Sequence, residues 1–174
     1  MEILSEEKPY IKLFDNFIQE GKVTWIGIRV RPHEPMVVLE DTFANIGGLT
    51  NDRANKGNPE SNRQVTLIQY EHLEAAASFL GKEKIDPSLV RRNIVVKGIN
   101  LNALKSKQFR LGEAVLEMTG FCHPCERMEE NLGKGGYNAM RGHGGITCRV
   151  VKEGKIKVGD SVTVIPFAEV HQEK

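Results

Sequence analysis

Short β-branched segments that do not alternate regularly with helices constrain the fold of this chain most strongly. Residues 22–30 (KVTWIGIRV) and 63–69 (RQVTLIQ) show the composition and alternation of strands. Apolar residues at helical spacing occur at 71–80 and 126–132. Further strands are predicted at 36–39, 93–96, 109–118, 146–151 and 161–165. Because strict strand–helix alternation is missing, a doubly wound parallel sheet is disfavoured, and we expect a mainly β fold, a largely antiparallel β-barrel with inserted helices.

The first twenty residues show a different pattern, that of an amphipathic helix. Ser5 is a candidate N-cap, and apolar residues at 11, 14, 17 and 18 fall on one helical face before Gly21. The length of 174 residues matches one ordinary domain with a short extension. We therefore expect an N-terminal helical extension over residues 1–20 and a single domain over residues 21–170.

Charge and cysteine content argue against several functional classes. Lys and Arg number 24 and Asp and Glu 23, a formal net charge of +1, so we expect binding neither to nucleic acid nor to an anionic membrane. No apolar run reaches the roughly 18 residues that a membrane span needs, and the N-terminus lacks the basic and apolar regions of a secretory signal. Three cysteines, an odd number, do not suggest a disulfide framework. We expect a soluble protein of the cytoplasm.

The segment with the clearest chemical content is 119–128, TGFCHPCERM. A predicted strand leads into Cys122 and Cys125, and a predicted helix follows. A cysteine at a helix start lies among free N–H groups at the positive end of the helix dipole, which favours a thiolate. Three chemistries fit: thiol–disulfide exchange, one working cysteine that carries sulfur or ligates a metal cofactor, or a zinc site built from Cys122, Cys125, His143 and Cys148.

A glycine-rich segment follows the second predicted helix. Residues 133–145 (GKGGYNAMRGHGG) hold six glycines, and backbone N–H groups in such a run can converge on an anion. Arg141 and His143 add charge or hydrogen-bond donors, so we predict an anion site here. Elsewhere, four arginines lie in loops or beside predicted strands, where a planar guanidinium can grip a phosphate: Arg53, Arg63, Arg91 and Arg92.

Seven segments, taken in their order and spacing, resemble one known family. They are GLTNDR at 48–53, RQVTLIQ at 63–69, RRNIVV at 91–96, FRLGEAVLEMTG at 109–120, CHPCERMEENLG at 122–133, GGYNAMRGHGGI at 135–146 and GKIKVGDSV at 154–162. The chain resembles the MOSC domain, the module at the C-terminus of molybdenum cofactor sulfurases and in stand-alone bacterial proteins. The resemblance runs from about residue 21 to residue 165 and implies a β-barrel of the pyruvate-kinase barrel type.

The resemblance also implies a site. Cys125 matches the family's working cysteine, which ligates molybdenum in a bound molybdopterin cofactor in relatives that reduce N-hydroxylated compounds. In cofactor sulfurases the same cysteine is thought to accept sulfur and pass it on. Cys125 is therefore the expected catalytic residue and metal ligand. The expected cofactor-binding residues are Arg53, Arg63, Arg92, Asn93, Arg141 and His143.

Three functions stay open at this point. The first is a molybdenum-dependent oxidoreductase or sulfur transferase. The second is a non-enzymatic persulfide carrier that works with a pyridoxal-phosphate desulfurase, and the third is a domain that keeps the fold without the chemistry. The expected partner is accordingly a cysteine desulfurase or an electron-transfer protein.

The chain departs from the family pattern at one loop. The usual Gly-Asp-Arg-His is replaced by Asn51-Asp52-Arg53-Ala54. Asparagine adopts positive φ more readily than most residues, so we expect the turn to survive, whereas proton transfer by a histidine at residue 54 is lost. No lysine lies in an evident pyridoxal-phosphate motif, so we expect no pyridoxal phosphate in this chain itself.

Overall fold

Seven strands close into a barrel in the computed structural model of the chain, which describes residues 13–170 (167 and 168 by their backbone only). In chain order the described strands are β1 (Gly21–Ile28), β2 (Val37–Leu39), β3 (Asp41–Asn45), β4 (Gly48–Leu49), β5 (Val65–Gln69), β6 (Ile94–Lys97), β7 (Gln108–Leu111), β8 (Ala114–Phe121), β9 (Ile146–Lys152), β10 (Gly154–Lys157) and β11 (Ser161–Val164). The described helices are α1 (Tyr70–Phe79), α2 (Pro87–Val90), α3 (Glu126–Leu132), α4 (Gly136–Ala139) and α5 (Phe167–Val170). The predicted fold class, a mainly β barrel with inserted helices, is confirmed.

The barrel follows the order β11–β7–β8–β9–β5–β6–β1 and closes through β1 and β11. Its strand pairs are antiparallel except for β5 and β6, which run parallel and are joined by a crossover containing α1 and α2. β2 extends the sheet beside β1, and β10, β3 and β4 form a separate small sheet. Because β1 is antiparallel to β6, the end of β1 and the starts of β5 and β6 lie at one end of the barrel.

Two apolar clusters support these strand ends. β5 is buried along its whole length, because it has the barrel interior on one face and helices on the other. Leu67 belongs to the interior cluster, together with Phe109 and Cys148, whereas Ile68 belongs to the outer cluster with Met128 of α3. The residues next to these strand ends therefore extend from a backbone that both apolar clusters hold in place.

The observed elements differ from the predicted ones in two places. The sequence does not predict the following short elements, each of at most five residues: β3, β4, β10, α2, α4 and α5. Residues 1–12 of the predicted N-terminal helix lie outside the described residues, and residues 13–20 contain a 3₁₀ turn at 13–15 instead of an α-helix. For residues 13–20 the helix prediction is wrong, because Phe17 packs against the barrel core from an irregular backbone.

Among residues 13–170, none of the helices combines the length and the apolar character that a membrane span requires.

Candidate functional site

Two cysteines lie between the end of β8 and the start of α3 and differ in exposure. Cys125 is exposed and is the N-cap of α3, with an extended backbone. Cys122 is only 2% exposed. Its N–H donates to Gly145 O at 2.8 Å, and its carbonyl oxygen would lie 1.9 Å from a Cβ at Gly144. The close approach requires glycine at residue 144, so the glycine-rich segment fixes the backbone of Cys122.

Two arginines accompany these cysteines. Arg63 donates from Nη2 to Cys122 Sγ at 3.2 Å. Arg92 is buried and donates from Nε to Gly144 O at 2.7 Å and from Nη1 to Val90 O at 2.8 Å. Burial lowers the pKa of Arg92; the nearby Cys122 sulfur opposes this shift, and the charge of Arg63 adds to it. Guanidinium groups and thiols therefore lie within electrostatic reach of one another.

A third arginine has a buried donor without an acceptor. Arg91 follows α2 with a left-handed backbone (φ 57°) and donates from Nη1 to Glu34 O at 2.8 Å. Its Nη2 is buried and has no hydrogen-bond partner among the described residues. Burial lowers the pKa of Arg91, and so do the neighbouring charges of Arg29, Arg127 and Arg53.

These side chains form one positively charged region, which we call the arginine cluster: Arg53, Arg63, Arg91, Arg92 and Arg127. Like charges in proximity repel one another, and a buried N–H without an acceptor costs free energy. Both costs fall when an anion binds, so the cluster has the physical character of an anion site.

Next to the arginine cluster lies a network of buried polar groups. Arg29 donates to Asp52 from its backbone N at 2.9 Å, from Nε at 3.1 Å and from Nη2 at 3.0 Å. Asn93 donates from Nδ2 to Asp52 Oδ2 at 2.8 Å and accepts on Oδ1 from Thr66 N at 3.1 Å. We call Arg29, Asp52, Thr66 and Asn93 the polar scaffold. It ties the loop after β4 to the end of β1, to β5 and to the residue before β6.

The aspartate of the polar scaffold is held in its ionised form. Burial of the Asp52 carboxyl opposes ionisation, but the hydrogen bonds and charge of Arg29 outweigh burial and hold the pKa of Asp52 below its ordinary value. Ala54 N also donates to Asp52 Oδ1 at 2.9 Å. Asn51 has φ 62°, as expected for asparagine in a position that favours glycine. The turn is therefore present, and its aspartate joins the scaffold.

The structure brings some of the predicted cofactor-binding residues together. Arg63 and Arg92 accompany the cysteines, and Arg53 lies close enough to Arg91 to affect its pKa. Asn93 is different, because it is 0% exposed and its side chain is engaged in the polar scaffold. Its amide is therefore engaged within the protein, and cofactor contact by Asn93 stays a prediction.

Two other predicted residues lie in the second half of the glycine-rich segment. His143 packs against α1, with its ring centroid 4.8 Å from that of His72 and 5.6 Å from that of Phe79. Its Nδ1 is buried and has no hydrogen-bond partner among the described residues. Arg141 is exposed. The adjacent Gly144 is the residue that approaches the cysteine pair, and cofactor contacts by Arg141 and His143 stay predictions.

The first half of the glycine-rich segment does bind an anion, but that anion is a side chain of the same protein. Glu129 of α3 accepts from Tyr137 N at 2.9 Å and from Gly135 N at 2.8 Å. These two hydrogen bonds lower the pKa of Glu129. An internal carboxylate thus takes the N–H groups of Gly135 and Tyr137, and anion binding by the rest of residues 133–145 stays a prediction.

The third cysteine belongs to the core. Cys148 lies in the barrel interior, and its burial raises the pKa of its thiol. Among residues 13–170 no group of three or more His, Cys, Asp or Glu side chains could hold a metal ion. The four residues of the zinc alternative are thus not grouped as ligands of one metal ion.

Sequence reasoning missed three residues of the site: Arg29, Arg127 and Glu129. Arg127 had a usable signal, since it lies two residues after Cys125 in the first turn of a predicted helix. Arg29 closes a predicted strand and carries no signal beyond its charge. Glu129 lies within α3 at a position where a glutamate is ordinarily solvated, so only the folded loop reveals its partners.

Comparison with known proteins agrees with the fold. The family model of the MOSC domain matches residues 52–163. The structure is similar to the YuaD protein from Bacillus subtilis, with a TM-score of 0.72 and 20% sequence identity, covering 84% of this chain and 96% of that one. YiiM from Geobacillus stearothermophilus has a TM-score of 0.67 and 14% identity, covering 84% of this chain and 75% of its own.

YiiM from Escherichia coli gives a TM-score of 0.63 at 15% identity, covering 83% of this chain and 70% of its own. No curated protein matches the sequence. At such identities, the solved structures establish a shared fold.

Proposed function

Because the chain belongs to the MOSC domain family, we propose that it binds a molybdenum cofactor, with the arginine cluster holding the anionic part and Cys125 supplying the metal ligand. The observation that supports this proposal is the buried Nη2 of Arg91, a donor without an acceptor inside a group of like charges. An anionic ligand relieves both conditions at once.

The residues present fit such a group. Asp52, the carboxylate next to the arginine cluster, is hydrogen-bonded to Arg29, and its charge opposes the lowering of the Arg91 pKa without outweighing burial and the neighbouring arginines. Arg92 is held by two carbonyl oxygens, which keeps its guanidinium in place without cancelling its charge. A phosphate-bearing cofactor supplies the missing negative charge, and planar guanidinium groups match phosphate geometry.

Cys125 is suited to the role of metal ligand in this proposal. Cys125 is exposed, so its sulfur is accessible to a ligand, and thiolates are suitable ligands for soft metal centres. When bound, the cofactor would supply two-electron reduction of the N–O bond in an N-hydroxylated compound. The protein would supply ligation, placement and charge compensation.

A second candidate function rests on the same exposed thiol. As a persulfide carrier, Cys125 would attack the outer sulfur of a donor persulfide; the donor's S–S bond breaks, and the donor thiolate leaves. The donor would be a separate pyridoxal-phosphate cysteine desulfurase. The exposure of Cys125 favours this candidate, because a partner's persulfide must reach the sulfur.

The experiment is metal and pterin analysis of the protein purified from a host that makes the cofactor. We expect molybdenum and pterin in proportion to the wild-type protein, loss of molybdenum from Cys125→Ser, and retention of most of it in Cys122→Ser. Persulfide on Cys125 without molybdenum would replace the first candidate by the second. Equal loss in both variants would favour dithiol exchange, and a wild-type protein with neither group would contradict both candidates.

A further inference from the structure

Cys122 combines burial with a hydrogen bond to an exposed arginine. The residue is 2% exposed, and its Sγ accepts from Arg63 Nη2 at 3.2 Å. Arg63 itself is an exposed residue just before β5. A long arginine side chain at such a position samples many rotamers, and ordering it costs free energy. The sulfur contact selects one direction for the guanidinium, toward the cysteine pair.

The sulfur of Cys122 is a fixed point, because the backbone on both sides of it is constrained. Its N–H is bonded to Gly145 O, and its carbonyl is packed against Gly144. The carbonyl of Gly144 in turn accepts from Arg92 Nε at 2.7 Å. Arg63 and Arg92 are therefore hydrogen-bonded to two chain segments, at Cys122 and at Gly144, that contact each other.

We infer that Cys122 is a positioning residue: it holds the Arg63 guanidinium in the orientation that binds an anion beside Cys125, and it does not itself ligate metal. The inference rests on the proposed function, which needs an anion site at the arginine cluster. It assigns the two cysteines separate tasks, with the exposed sulfur for chemistry and the buried sulfur for orienting charge.

The test measures binding of inorganic phosphate to the cofactor-free protein by calorimetry, in the wild type and in a set of variants. Cys122→Ala and Cys122→Val remove the acceptor and should weaken phosphate binding about three- to tenfold, the range expected for loss of one net hydrogen bond. Cys122→Ser keeps an acceptor and should retain most of the affinity. Two apolar variants are used so that failure of one to fold does not end the test.

A double-mutant comparison separates positioning from a general structural effect. In an Arg63→Ala background, Cys122→Ala should cause no further loss of phosphate affinity, because the side chain that it positions is gone. A merely structural cysteine would weaken binding equally in both backgrounds. Arg110→Ala, which removes an arginine paired with Glu169 outside the cluster, is the control and should leave the affinity unchanged.

The inference is overturned if the apolar Cys122 variants bind phosphate as the wild type does, if their effect persists in the Arg63→Ala background, or if the wild type does not bind phosphate. These outcomes are distinct from failure of the proposed function, which is read from molybdenum and pterin content. A chain that binds phosphate through a Cys122-dependent Arg63 but carries no molybdenum would support the inference and contradict the cofactor proposal.

Discussion

The polar scaffold and the arginine cluster are neighbours, but their charged groups are paired within the protein to different extents. In the scaffold, the buried carboxylate of Asp52 accepts hydrogen bonds from Arg29, Ala54 and Asn93. In the cluster, neighbouring arginines lower the pKa of Arg91, and its Nη2 is buried without an acceptor among the described residues. The first region is satisfied from within, whereas the second contains a buried donor that the described residues leave without an acceptor.

This difference separates residues that stabilise the fold from residues that prepare a site. A satisfied buried network stabilises the folded state and specifies a single arrangement of its members. A group of like charges with an unpaired donor destabilises the folded state slightly until a ligand binds, as is common at functional sites. Variants of the polar scaffold should therefore change mainly the free energy of unfolding, whereas variants of the arginine cluster should change mainly anion affinity.

The largest contrast is expected in thiol reactivity. Cys125, at the site, is exposed, whereas Cys148, in the barrel core, is buried, and burial raises the pKa of its thiol. Alkylation of Cys148 requires opening of the barrel, which a stability of about 5–15 kcal/mol makes rare, so Cys125 should react at least about a thousandfold faster. Iodoacetamide labelling followed by peptide mass spectrometry measures both rates. Comparable rates in the native protein would mean that the barrel does not protect its core.

The next largest effect is expected on stability, from the polar scaffold. Asp52→Ala leaves Arg29 largely buried without its carboxylate, and removing one partner of a buried ion pair typically costs about 3–5 kcal/mol. Urea denaturation should show this loss in the free energy of unfolding. Arg31→Ala breaks an exposed pair with Glu34 and should change it by less than about 1 kcal/mol. An Asp52→Ala protein as stable as the control would show that the scaffold is dispensable.

The same contrast explains which parts of the molecule the sequence could predict. Strand patterns reveal β1, β5 and β6, because a half-buried or fully buried strand needs apolar residues at fixed spacing. Cys125 could be assigned because its place before α3 is a local feature of the chain. Arg29 could not be assigned, since its partner Asp52 is distant in sequence and the pair forms only when the barrel closes.

The glycine-rich segment shows a second limit of prediction. Its glycines permit close backbone approaches, as at Gly144 against Cys122. They do not indicate which anion the N–H groups bind, and Glu129 takes that place from within α3. A run of glycines determines which conformations the backbone can adopt. Which anion its N–H groups bind depends on the side chains that folding brings close.

A smaller effect, on binding rather than stability, is expected at the arginine cluster. Arg91→Ala removes the donor that has no partner within the described chain, so phosphate affinity of the cofactor-free protein should fall roughly tenfold, the value of one charge-assisted hydrogen bond. The free energy of unfolding should change by less than about 1 kcal/mol, because a repulsive charge is lost together with the bond to Glu34 O. Calorimetric titration and urea denaturation measure the two quantities. A large loss of stability with unchanged phosphate affinity would assign Arg91 to the scaffold.

The smallest effect concerns the pH dependence of stability and tests whether His143 contacts a bound anion or only packs against α1. Burial lowers the pKa of His72, and the charge of His143 adds to this shift, while Glu71 opposes it. The folded protein therefore binds a proton at His72 less readily than the unfolded chain, so stability should decline as pH falls through the ordinary value of 6.5. The decline should level off once the pH is below the lowered pKa of the folded state.

Asp52 produces a separate window, because its pKa is lowered from 3.8 by its partners. Its contribution to stability is complete above that value and is lost as pH falls below it toward the pKa of the folded state. Urea midpoints measured from pH 7.5 to pH 5 thus isolate the histidine effect. His72→Gln should remove the histidine-dependent part of the decline, and His143→Phe, which keeps an aromatic ring against Phe79, should reduce it. If phosphate abolishes the decline in the wild type, His143 contacts the bound anion. If phosphate shifts the urea midpoints equally at every pH, His143 only packs against α1.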